Sequence, residues 1–189
     1  MFLLQIRTVV TIGVLAFLVV GFVLAVAARL SDPTSGYELA ARERGASYLG
    51  SEKVVMQDKT NTCGPAALKM ILDAHGQEVE LGDLEIGSDT MSAGWSMQSL
   101  KVIAEQHGLR AEGWRLDLEA LCRCRFPVIL FVESRHFVVA DGVDTAGFFY
   151  VRDPAIGRMK INRRALNKIW NGETLVFGEN RSPCATDPQ

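Results

Sequence analysis

Read for hydrophobicity alone, the 189-residue chain passes through four regimes. The first is an unbroken apolar run, TVVTIGVLAFLVVGFVLAVAA from Thr8 to Ala28, twenty-one residues without a charge between Arg7 and Arg29. At about 1.5 Å per residue such a run suffices to cross a hydrocarbon layer of about 30 Å. It predicts an N-terminal transmembrane anchor over 1–30, with a cleaved signal peptide as the alternative, because AVAA offers the small residues of a cleavage site. The second regime, SDPTSGYELAARERGAS, is polar and predicts a linker over 31–47 with a short helical patch around Tyr37–Arg44. In the third, apolar residues recur at helical spacing. GPAALKMILDAHG has Ala67, Leu68, Ile71 and Leu72 on one face, Pro65 in its first turn and Gly76 past its end. SMQSLKVIAEQHG, stopped by Gly108, and DLEALCRCR predict two more helices. In the fourth, PVILFVE, HFVVADGVD, FFYVRD and ETLVF are short β-branched or aromatic runs between turn signals. SEKVVMQ, ahead of the first helix, is a further strand candidate. Helices followed by strands predict an α+β domain over 48–178 with a mostly antiparallel sheet, and the polar residues 179–189 predict a disordered tail.

Charge and cysteine usage remove several function classes. The net charge is −2, without a basic stripe interleaved with aromatics, which argues against a nucleic-acid partner. No G-x-x-x-x-G-K-[ST] loop is present, so nothing predicts ATP binding by this chain. Four cysteines are too few for a disulfide scaffold, and Cys122 and Cys124 lack a second ligand pair at suitable spacing, so neither metal nor cofactor is expected. Basic residues are sparse on both sides of the apolar run; a long C-terminal domain translocates largely regardless of charge, which favours a domain outside the cytoplasm.

The candidate chemistry begins at Cys63. It directly precedes Gly64-Pro65 and the helical run, so it falls at the mouth of a helix. There the dipole and the free N–H groups favour a thiolate, the reactive form of cysteine. The bland reading is that the turn needed a small residue. Nucleophilic chemistry also needs a base and a group to orient it. His75 and His107 sit at helix ends, where a cation is favourable for ordinary reasons. His136 instead opens the strand HFVVADGV. A hairpin turn at Asp144–Gly147 would set Asp153 opposite Val138, making it the diagonal neighbour of His136 on one face. Asp141 would point to the other face, and Asp144 would lie in the turn. Gln57, six residues before Cys63, has an amide able to serve an oxyanion, with the N–H of Cys63 as second donor.

The stretches QDKTNTCGPAALKMIL, RHFVVADGV, FYVRDPAIG and LNKIWNGETLVF resemble, in order, the C39 peptidases, papain-like cysteine proteases that process bacteriocin precursors. The resemblance spans Val54 to Phe177. It implies a papain-like fold with Cys63 as nucleophile, His136 as general base, Asp153 (with Pro154) as its orienting acid and Gln57 in the oxyanion hole. The family usually has Asp just before the nucleophile; here Thr62 stands there. The implied substrate is a secreted peptide or protein whose leader ends in a Gly-Gly type site, cleaved in a narrow cleft for which Trp95 and Phe137 are candidate walls. The implied partner is a separate exporter or secretion system, such as those beside extracellular amyloid fibres. With the apolar run, the expectation is a stand-alone, single-pass protein of a bacterial inner membrane. Two other readings remain: another Cys-His-Asp acyl-transfer enzyme acting on the cell wall, and a non-catalytic module that binds leader peptides.

Overall fold

The computed structural model describes residues 17–27, 32, 34–85 and 95–178. The chain divides into two compact units, Met1–Leu39 and Ala40–Gln189.

The first unit contains helix α1, residues 17–27. Among the described residues no helix is long and apolar enough to cross a membrane. The remainder of the expected span Thr8–Ala28 lies outside the described residues. The expected transmembrane anchor and the single-pass inner-membrane placement are therefore corrected. The expected tail, 179–189, also lies outside the described residues.

The second unit is built on a seven-stranded sheet: β1 (Ala46–Tyr48), β2 (Ala111–Arg115), β3 (Val128–Val132), β4 (His136–Val143), β5 (Phe148–Asp153), β6 (Gly157–Asn162) and β7 (Trp170–Phe177). Their order is β1-β6-β5-β4-β3-β7-β2, and every neighbouring pair is antiparallel. The helices are α2 (Thr34–Glu43), of which only the part from Ala40 on belongs to this unit, α3 (Cys63–Ala74), α4 (Leu81–Leu84), α5 (Met97–Gln106), α6 (Leu118–Cys122) and α7 (Arg163–Ile169). This is the α+β architecture expected. The segment expected as a linker contributes instead to the fold: Ala40 and Ala41 of α2 join the core, and β1 pairs with β6.

Alternation along β4 explains why both faces of the sheet are covered. Phe137 and Val139 face a cluster with α3 and α5 that includes Leu68, Ile71 and Leu100. Val138 and Ala140 face a second cluster with Phe149, Ile161 and Leu166. The nine buried residues of α3 include Cys63 to Leu68, so it is a core helix. Fully burying one Leu or Ile is worth about 1.5–3 kcal/mol, so α3 is held in place chiefly by its apolar side chains. The helix ends at His75, before Gly76 in the left-handed region (φ 75°). SEKVVMQ, expected as a strand, is irregular. Val54 N–H donates to Ser51 and Gln57 N–H to Pro154, so its backbone groups are used in loop contacts.

Candidate active site

Two elements bring the expected site residues together. The β4–β5 hairpin closes at Asp144–Gly147, where Gly147 N–H donates to Asp144 O and the Asp144 carboxylate accepts from Ala146 and Phe148 N–H. A bulge at Asp141 separates the Gly142↔Tyr150 and Ala140↔Val151 pairs. Beyond it Val139 pairs with Arg152, which sets Asp153 beside His136 across the strands. His136 Nε2 lies 2.7 Å from Asp153 Oδ1. Asp153 is fully buried, and the same Oδ1 accepts from Ala155 N–H at 2.7 Å. Asp141 instead pairs with Arg152, and Asp144 with Lys160.

The other element is α3. Cys63 is its first residue, so its N–H has no acceptor inside the helix. His136, the first residue of β4, stands at the rim of the sheet, and the thiol meets the imidazole there. Since Nε2 is taken by Asp153, Nδ1 faces the sulfur. Burial pushes the Cys63 thiol up, but hydrogen bonds with His136 and with the N–H groups of Phe137 and Gly64, and the imidazolium charge, outweigh it; the net shift is downward. For His136, burial works against the charged form, and Asp153 and Cys63 reverse it, raising the imidazole to about 9. The arrangement favours a thiolate–imidazolium pair at neutral pH.

Gln57 lies in the loop leading to α3. Its N–H donates to Pro154 O at 2.9 Å, beside Asp153, and its Nε2 donates to Lys59 O at 3.0 Å. Its Oε1 is buried without a protein partner, and one Nε2 hydrogen remains to serve an incoming group. Of the two candidate walls, Phe137 is 2% exposed and belongs to the core, which removes it from any open cleft. Trp95 is half-buried and packs against Gly64: a Cβ there would sit 2.9 Å from Trp95 Cβ and 3.0 Å from its Cγ. Only glycine lets the indole close over the residue next to Cys63.

Against this geometry, the Peptidase C39 family model matches residues 51–182. The chain belongs to the Peptidase C39 family. An uncharacterised protein of Methanothermobacter marburgensis is 34% identical over 69% of this chain and 91% of its own length. The probable functional amyloid protease FapD of Pseudomonas aeruginosa is 32% identical over 71% of this chain and 66% of its own. Among solved structures, a double glycine motif protease from an AMS/PCAT transporter, in complex with the leader peptide, superposes with a TM-score of 0.63 at 30% identity, covering 67% of this chain and 91% of that one.

Within this C39 member, Thr62 has a defined part. It is buried, and its Oγ1 donates towards Asp58 Oδ1 (2.9 Å) and Lys59 O (3.1 Å) while accepting from Lys59 N–H (3.2 Å). The hydroxyl thus closes the 58–62 loop and borrows a carboxylate from Asp58 instead of supplying one.

Sequence reasoning missed two residues behind the site. Arg44 Nη1 donates to Asp153 Oδ2 at 2.6 Å. Its Nε and Nη2 donate to the two Glu133 oxygens at 2.8 and 3.2 Å. Burial opposes the guanidinium charge, but Glu133 and Asp153 more than offset it, and Arg44 in turn draws the Glu133 carboxyl down. Glu133 and Ser134 occupy the β3–β4 turn with φ of 53° and 54°, strain on the order of 1–3 kcal/mol each for non-glycine residues. The Arg44 fork and the Glu133 N–H bond to Ile169 O (2.6 Å) help hold that turn.

Proposed function

We propose that the protein is a cysteine endopeptidase that removes the leader of a secreted peptide or protein after a small-residue, Gly-Gly type site. One observation carries the reading: a thiol at the start of a buried helix faces an imidazole whose far nitrogen is bound to a buried carboxylate. In the proposed reaction the Cys63 thiolate attacks the scissile carbonyl carbon, and the C=O electron pair moves onto oxygen. Cys63 N–H and the Gln57 amide stabilise that oxyanion. The intermediate collapses as the C–N bond breaks, and the His136 imidazolium gives its proton to the leaving amine. His136 then takes a proton from water, whose oxygen attacks the thioester and releases the acid and the Cys63 thiolate. Asp153 keeps the imidazole oriented and charged throughout.

The double-glycine protease solved with its leader peptide supports the substrate class, and the closure of Trp95 over Gly64 agrees with small residues on the acyl side of the cut. A separate exporter or secretion system belongs to the same reading, which the origin of the double glycine motif protease in an AMS/PCAT transporter supports. The test is a fusion of a Gly-Gly-ending leader to a reporter, incubated with the wild type and with Cys63→Ala. The wild type releases the reporter and Cys63→Ala does not. Equal release by both would overturn the assignment.

A further inference from the structure

Arg44 lies ahead of residues 51–182, the part matched by the family model, yet it touches the buried carboxylate behind the candidate base. Its side chain is 17% exposed and that of Asp153 1%. Together they line a largely enclosed apolar space with Val132, Val138, Val151, Met159 and Ile161. Charges in such surroundings are weakly screened and act over longer distances than on a surface. Three groups converge on the Asp153 carboxylate: His136 Nε2 and Ala155 N–H on Oδ1, Arg44 Nη1 on Oδ2. Each oxygen is thereby assigned, so the carboxylate cannot rotate without breaking a charge-assisted bond. Glu133 takes the other side of the guanidinium and belongs to the turn that delivers His136 to the head of β4.

We propose that Arg44 is a positioning residue of the active site, and that with Glu133 it holds the Asp153 carboxylate aimed at His136. The proposal rests on the Cys63–His136 reading and extends it to a segment outside the matched region. The charged groups around the pair are Cys63 at the head of α3, His136 on β4, Asp153 on β5, Arg44 after α2, and Glu133 with Arg135 in the β3–β4 turn; Arg135 approaches Glu133 at 3.6 Å and is 80% exposed. Arg44 is thus the less exposed of the two guanidiniums in the cluster, and removing it makes the surroundings of the thiolate more negative. A residue that merely staples α2 to the sheet would lower stability and leave the titration of the thiol in place.

The experiment uses the full chain and iodoacetamide, so no peptide substrate enters it. The rate of Cys63 alkylation, followed on the Cys63 peptide by mass spectrometry, is measured against pH for the wild type, Arg44→Gln and Arg44→Lys. Arg44→Gln moves the rise in rate up by about one pH unit, a tenfold loss of thiolate below the rise, and Arg44→Lys stays close to the wild type. A wild-type rise that stays put in Arg44→Gln overturns the proposal alone. A wild type that titrates as an ordinary thiol near about 8.5 overturns the thiolate–imidazolium reading beneath it. If Arg44→Gln does not fold, Arg44→Met replaces it: it keeps the length and apolar contacts of the side chain without the cation, and the rise moves up as expected for Arg44→Gln. An unmoved or downward rise in that variant counts against the proposal.

Discussion

Replacing Asp153 by Asn tests the electrostatics of the site while nearly preserving its shape. The amide oxygen can still accept from His136 Nε2, but the charge beside the ring is gone. In the wild type the imidazole is raised from 6.5 to about 9, a preference of about 3 kcal/mol for the charged form at about 1.4 kcal/mol per unit. Asp153 contributes more of the upward pull than Cys63, so its loss removes at least about 1.5 kcal/mol, or tenfold. Arg44, left without its anion, adds repulsion of the same sign. The imidazolium therefore titrates lower and the thiol, losing its cation, higher. In Asp153→Asn the alkylation rate of Cys63 by iodoacetamide falls at least about tenfold at pH 6 and converges on the wild type at high pH. Site-resolved mass spectrometry is needed because Cys122 and Cys124 also carry free thiols. Superimposable pH profiles for the two proteins would refute the argument that Asp153 sustains the ion pair. The same shift has a stability consequence. A histidine raised on folding contributes fully below 6.5, and that contribution is lost as pH rises through about 9. The wild type should accordingly lose thermal stability across that window by more than Asp153→Asn does.

Three further substitutions probe the two residues that flank Cys63. Gly64→Ala forces a methyl to within 2.9 Å of Trp95 Cβ and 3.3 Å of Leu100 Cδ2, overpacking that costs about 1–3 kcal/mol. Its melting temperature should fall by roughly 3–10 °C and leader cleavage should slow, whereas an unchanged melt would mean that Trp95 yields freely. Thr62→Val keeps the volume and removes the hydroxyl that closes the 58–62 loop; calorimetry should show a loss of about 1 kcal/mol. Thr62→Asp, restoring the usual residue, should be the worse substitution, because Asp58 already occupies that side of the loop.

How legible the site was depended on how local each contact is. Cys63 could be placed because Gly64, Pro65 and the apolar spacing after it mark a helix start. The His136–Asp153 pairing followed from the turn at Asp144–Gly147 and the two-residue period of strands. The bulge at Asp141 shifts the register by one residue between Gly142↔Tyr150 and Ala140↔Val151, and the shifted register is the one that brings Asp153 beside His136. Arg44 was invisible for the converse reason: AARERGAS is a polar stretch with no feature that reveals a partner 109 residues away. β6 was missed because Arg158 and Lys160 alternate with Met159 and Ile161, a half-buried strand whose outer face is basic. The two valines of SEKVVMQ read as a strand, but the segment has no ladder, only loop bonds from Val54 N–H to Ser51 and from Gln57 N–H to Pro154. The hydropathy of Thr8–Ala28 argued for a membrane span, but among the described residues no helix is long and apolar enough to be one.

The hairpin that joins base and acid also sets the order in which the site can be assembled. His136 and Asp153 are 17 residues apart, Arg44 and Asp153 109. Closing the longer loop costs about 1.6 kcal/mol more chain entropy if closure scales with the logarithm of length. The acid–base half is therefore a local contact that one turn nucleates. Arg44 reaches the carboxylate only after most of the sheet exists, so a partly folded chain would carry a paired histidine and aspartate well before its site electrostatics are complete.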